Sequence, residues 1–152
     1  MGPAGAMNHN LKFLVLSRNQ VRHVDPELDH ITISVTDPND SLANLPFSQN
    51  PSCKGVLRLS FHDVDSEKNG TIFTREQARQ ILDFVNDHLH EIELIVIHCE
   101  AGISRSAGIA ASLSSIYLNH DSGFFKTHIP NMHVFRQILW EYEGFDIDKM
   151  FI

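Results

Sequence analysis

Only two cysteines, Cys53 and Cys99, occur in this chain of 152 residues. So small a number does not describe a disulfide scaffold. No apolar run approaches the roughly 20 residues needed to cross a bilayer. No secretory leader pattern opens the sequence, so no membrane partner is expected. Basic residues are scarce beside acidic ones, 12 against 19, which leaves a formal net charge of −7. A nucleic-acid partner would call for a basic face, so none is expected. An anionic substrate is not excluded, because a site can be locally positive. There is no internal repeat and no low-complexity segment.

What remains is ordinary for a globular protein: 42% apolar and 20% charged residues, enough for one domain with a real core. Met1–Ala6 reads as an expression-tag remnant and Met7 as a natural start, with one domain over 7–152. Lys12–Ser17 reads as a first strand, and Arg18–Asp29 as a loop or short helix. The alternation in His30–Val35 predicts a second strand. A turn follows at Asp37-Pro38-Asn39-Asp40, then an irregular loop over Ser41–Gly55 and a third strand over Val56–Phe61. His62–Gly70 is a polar, mobile loop ending in Asn-Gly. Thr74 and Gln77 form a capping box that opens a helix with Ala78, Ile81, Leu82, Val85 and Leu89 on one face. Asn119–Thr127 is a loop. Pro130 is expected at the first position of a last helix, whose apolar side is Val134, Phe135, Ile138, Leu139 and Tyr142. The order predicts an α/β sandwich around a central, mostly parallel sheet flanked by helices.

The chain is organised around Glu93–Leu118. Leu94–Ile97 is an uninterrupted apolar run of strand length, which reads as a buried central strand. A turn holding Cys99, Gly102 and Arg105 follows, then a longer stretch of Ala, Ser, Ile and Leu that predicts a helix. The first amides of a helix lack intrahelical partners and carry partial positive charge, so an oxyanion such as phosphate suits this turn. Arg105 offers a planar fork for two phosphate oxygens. Positive charge favours the thiolate of Cys99, which is the nucleophilic form. Gly102 lets the loop curl its N–H groups inward, and Ser106 can donate a hydrogen bond to the sulfur.

His98-Cys99-Glu100-Ala101-Gly102-Ile103-Ser104-Arg105-Ser106 resembles the HCxxGxxR[ST] signature of the cysteine-dependent protein tyrosine phosphatases. Chain length makes it most similar to the compact dual-specificity and bacterial or phage members. The likeness extends more loosely from Val56 to Tyr142. It implies a phosphatase fold and a metal-independent phosphomonoesterase, a protein tyrosine or dual-specificity phosphatase, acting through a phosphocysteine. Cys99 would be the nucleophile and Arg105 the phosphate clamp. Ser106 would assist departure of the sulfur, and His98 would support the loop. The loop residues Glu100, Ala101, Gly102, Ile103, Ser104 and Arg105 would bind the substrate phosphate, and Ser104 could hydrogen-bond within the loop. Glu100 should point to solvent. The general acid would be an Asp on the loop after the third strand. Asp63 is favoured, because a residue just past a strand's carboxyl end overlooks the Cys99 loop. Asp65 is the alternative, and His62 a weaker one.

The expected partners are a phosphorylated protein or peptide, with a phosphate or sulfate ion fitting the site; oligomeric state is left open. No cofactor is expected, and the histidines show no metal-ligand spacing. A working thiolate needs reducing conditions, which points to the cytoplasm, and Cys53 reads as a bystander rather than a resolving thiol. Two other functions stay open. The site could serve a non-protein phosphate, such as a phosphoinositide, an RNA 5′-phosphate or a small metabolite. It could also be a non-catalytic phosphate-binding module. The first normally calls for extra Lys or Arg in the loop, and the second for loss of the cysteine, arginine or acid; neither is seen. A rhodanese-like sulfur carrier would not predict the Arg-Ser pair. PNxHVxR at Pro130–Arg136 also appears in bacterial and phage tyrosine-phosphatase-like sequences, where it could be structural or shape the substrate rim. Pocket depth is expected to come from Ser41–Gly55 and Asn119–Thr127.

Overall fold

A computed structural model of the chain describes residues 10–40 and 50–144. The Met1–Ala6 stretch, Met7 and residues 41–49 of the expected loop lie outside them. The elements run β1 (Lys12–Ser17), α1 (Arg18–Val21), β2 (His30–Thr36), β3 (Cys53–Ser60), α2 (Arg75–His88), β4 (Leu94–Cys99), α3 (Arg105–Leu118), α4 (Phe124–Thr127) and α5 (Met132–Glu143). The four strands form one sheet in the order β1-β4-β2-β3, and every pairing is parallel. Ser17 pairs with Cys99 and Ser34 with His98 across it. All carboxyl ends therefore fall on one edge, where ligands of open α/β sheets bind.

The main core lies on one sheet face, under α2, α3 and α5. Ile31, Ile33, Ile95, Ile97, Ile109 and Ile138 are fully buried there, each contributing about 1.5–3 kcal/mol on burial. The other face carries a small cluster of Leu16, Val21, Leu94 and Val96. Parallel sheets are covered on both faces, which explains β2. Its alternating pattern is that of a half-exposed strand, yet all seven residues are buried. The polar ones find partners. His30 Nδ1 bonds Leu28 O at 2.8 Å, Ser34 Oγ meets His98 Nε2 at 2.6 Å, and Thr36 Oγ1 meets Ser60 Oγ at 3.3 Å.

Local signals place several ends. Thr74 and Gln77 form the reciprocal cap of α2, both bonds at 3.1 Å, and Ser17-x-x-Gln20 does the same for α1. Other expectations shift. Strand β3 starts at Cys53, inside the expected loop, because it pairs with β2 from His30 onward. The stretch Asn119–Thr127 contains the short α4. Pro130 precedes α5 rather than opening it. Asn131 is the cap, its Oδ1 accepting from Val134 N at 3.0 Å, and Asn leads Pro as a cap because it supplies that acceptor. On α5 only Val134 and Ile138 are buried, while Phe135 and Leu139 are half-buried and Tyr142 is exposed.

Candidate active site

Strand β4 ends at Cys99 and α3 begins at Arg105. The five residues between them close a tight loop. Gly102 sits at φ 70°, and a Cβ there would lie 2.6 Å from the Leu16 carbonyl carbon and from Ser17 N. Only glycine lets the loop lie so closely on the end of β1. The turn aims the Gly102 N–H at Cys99 Sγ, 3.3 Å away. On the other side Ser106 Oγ stands 3.1 Å from the sulfur. Cys99 is 2% exposed, so it meets solvent only through the pocket in front of the loop.

His98 faces the opposite side of the sheet, and its Nδ1 lies 3.4 Å from Cys99 O. Burial pushes this imidazole down to about 4, with a smaller opposing contribution from the bond to Cys99. A neutral ring can donate from Nδ1 to Cys99 O and accept the Ser34 hydroxyl at Nε2. Ser34 is a partner that the sequence does not reveal.

Arg105 is buried, 4% exposed. Its Nη1 donates to Asp37 Oδ1 and to Phe61 O, both at 2.7 Å. Its Nε and Nη2 bond no described residue, which leaves two donors for a ligand. The Asp37-Pro38-Asn39-Asp40 pattern marks Asp37 only as part of a turn. The signal is there in the sequence, because Asp37 immediately follows β2, and Asp63 lies three residues past β3. A second tie runs from the start of α1: Arg18 pairs with Asp40 and, at 3.4 Å, with Glu100. The Glu100 carboxylate is about half exposed and paired rather than simply free in solvent.

Asp63 lines the same pocket as Cys99, Glu100, Ala101, Ile103, Ser104 and Arg105, with Ile129 as the far wall; the cavity is about 450 Å³. Ser104 Oγ does not bond within its own loop. It donates to Asp63 Oδ1 at 2.8 Å, and Asn131 Nδ2 donates to the same oxygen at 2.8 Å. No described residue bonds Oδ2, which is therefore the oxygen able to carry a proton. Asp65 lines the adjoining groove instead. His62 Nδ1 accepts from Thr71 N at 2.8 Å, closing its own loop. Of the two stretches expected to set pocket depth, Asn119–Thr127 contributes no lining residue; Ile103 and Ile129, joined by a 3.2 Å backbone bond, form that wall.

The two thiols lie far apart. Cys53 pairs through His30 with Leu94, the opposite end of β4 from Cys99. Five residues of strand separate those ends, about 16 Å at the usual rise, so no disulfide can form without rebuilding the sheet. Among the described residues no group of three or more His, Cys, Asp or Glu is arranged to hold a metal. No helix among them is long and apolar enough to cross a membrane.

The fold has well-defined relatives among solved structures. The human tyrosine phosphatase-like serine/threonine/tyrosine-interacting protein superposes over 84% of this chain and 85% of its own, at 18% identity and a TM-score of 0.58. Human DUSP28 covers 91% and 94% at 13% identity, also with a TM-score of 0.58. PTPMT1 in complex with PI(5)P covers 91% and 94% at 15% identity and the same TM-score. At these identities the likeness is one of fold. No curated protein sequence matches the chain. A family model described as the Rit1 DUSP-like domain matches residues 59–152, which spans Asp63, the whole Cys99–Arg105 loop and α5. The chain therefore belongs to the Rit1 DUSP-like domain family, a dual-specificity-like branch of the cysteine-dependent tyrosine phosphatase superfamily.

Proposed function

We propose that the protein is a cysteine-dependent phosphomonoesterase acting on phosphotyrosine or with dual specificity, through a phosphocysteine. One observation carries this reading. Cys99 Sγ sits between the Gly102 amide and the Ser106 hydroxyl, in one pocket with a pre-held Arg105 and Asp63. The thiolate attacks phosphorus, an S–P bond forms, and the P–O bond to the leaving group breaks. Asp63 gives its proton from Oδ2 to the departing oxygen. Water then attacks phosphorus and returns a proton to Asp63, and the sulfur leaves with the Ser106 O–H donating to it. Arg105 Nε and Nη2 and the first amides of α3 hold the equatorial oxygens, so the residues supply the charge stabilisation without a metal. A more highly charged non-protein phosphate is disfavoured, since the loop positions Glu100, Ala101, Ile103 and Ser104 add no cation.

The test is hydrolysis of para-nitrophenyl phosphate in EDTA by wild type, Cys99→Ser and Asp63→Ala. Turnover should survive EDTA and vanish in Cys99→Ser. The rate should fall about 10²- to 10⁴-fold in Asp63→Ala. Near-normal activity in Asp63→Ala would move the acid to Asp65. Full activity in Cys99→Ser would refute the thiolate mechanism. Phosphate binding without turnover would favour a binding module.

A further inference from the structure

The reaction pocket does not end at Asp63. A second groove, about 580 Å³, continues from it, and Asp63 and Ser104 line both. Its far wall is the first turns of α5, with Met132, His133 and Arg136. That wall is held in register with the loop. Asn131 N–H donates to Ser104 O at 2.9 Å, and its side chain donates to Asp63 at 2.8 Å and to Val64 O at 3.3 Å. A Cβ on Gly108 would meet Asn131 O at 2.8 Å, so α3 and α5 touch almost backbone to backbone here.

The chemistry described above leaves Arg136 unused. Arg105 and Arg136 are the arginines lining the two grooves. Arg105 is tied to Asp37, and elsewhere Arg18, Arg75 and Arg79 are also paired. Arg136 is exposed and makes no hydrogen bond or ion pair with any described residue. His133 beside it engages Phe73 O through Nε2 at 2.8 Å. The charged residues facing Arg136 across the groove are Asp63 and Asp65.

We infer that this groove is a specificity subsite in which Arg136 pairs with an acidic side chain of a phosphopeptide, next to the phosphorylated residue. The inference rests on the phosphatase reading and names its substrate class. A single cation with no partner among the described residues, set between acids, accommodates one carboxylate. A polyanion would need a cation for each further phosphate, whereas Asp63, Asp65 and Glu100 border the mouth. Charge thus favours a peptide over a nucleic acid. Ile129, 76% exposed, and Met132, 38% exposed, add apolar surface that flanking peptide side chains can cover.

The test compares kcat/KM for phosphotyrosine peptides that carry Glu, Gln or Lys at each neighbouring position, with para-nitrophenyl phosphate as the measure of the chemistry itself. Wild type should prefer Glu over Gln by about threefold, the scale of an exposed ion pair. That ratio should collapse to about one in Arg136→Gln and reverse toward Lys in Arg136→Glu. If wild type hydrolyses para-nitrophenyl phosphate but treats the peptides alike, the subsite is overturned and the phosphatase reading stands. If wild type is inert, the phosphatase reading fails. The same ratios are then read as peptide affinities by fluorescence anisotropy, and equal affinities overturn the subsite. A 5′-phosphorylated oligonucleotide preferred over every peptide also overturns it.

Discussion

Arg105 enters the site already oriented. One nitrogen is engaged by Asp37 and Phe61 O, which fixes the plane in which the other donors lie. The carboxylate of Asp37 is about half exposed, so its contribution to stability is small after solvent screening. Its contribution to geometry is larger, because a loosely held clamp loses pre-organisation. Asp37→Asn should lower kcat/KM for para-nitrophenyl phosphate about tenfold while shifting the urea midpoint little. Wild-type kinetics would mean that Phe61 O alone sets the guanidinium. His98 makes a different prediction. Its imidazole is held down to about 4 in the folded chain, against an ordinary 6.5. Between those values the unfolded chain takes up a proton that the native state refuses. Stability is thus full above about pH 6.5 and declines as pH falls toward 4, by at most on the order of 3 kcal/mol. Urea titrations across that window should show a flatter pH dependence in His98→Asn than in wild type. An unchanged slope would assign the effect to the carboxylates.

At the scale of the element, the Cys99–Arg105 loop is shaped by contact with β1. Gly102→Ala places a methyl against the backbone of Leu16 and Ser17 at a φ of 70°. The variant should lose about 1–3 kcal/mol in chemical denaturation and most of its turnover, since the loop must lift away from both β1 and the sulfur. A stable variant with full activity would show that the close approach is dispensable. This loop is the most legible part of the chain, because Cys99, Gly102, Arg105 and Ser106 all fall within one strand–turn–helix unit. Asp63 was legible because it follows a strand end. Ser34 carries no such signal of a role, the strand-end position of Asp37 is masked by its turn pattern, and for Asn131 the sequence leaves open whether it is structural or shapes the substrate rim. Their roles depend on β4 lying between β1 and β2 and on α5 folding back to the loop, and linear order does not specify either. The polar alternation of β2 was likewise silent about its burial, because the covering of the second sheet face comes from elsewhere in the chain.

The whole molecule is acidic, with net charge −7, yet the site is read as an oxyanion receptor. A ligand bound only by the native state stabilises it by about 2.7 kcal/mol at a hundred times its dissociation constant. For a chain this size that corresponds to roughly 5–10 °C in Tm. Inorganic phosphate at saturating concentration should therefore raise the melting temperature of wild type, and Arg105→Met should abolish the shift. A wild-type Tm indifferent to phosphate and vanadate would remove the loop from consideration as an anion site.

The strand order also bears on how the molecule comes into being. Strand β4 is the last made of the four, but it occupies an interior position, between β1 and β2. The sheet cannot close until a late segment inserts beside two early ones, and contacts so distant along the chain form slowly. Cys99 lies at the end of that segment. The setting of its sulfur is thus a late event in the life of each molecule, and a half-folded chain carries its thiol without the Gly102 amide and the Ser106 hydroxyl beside it.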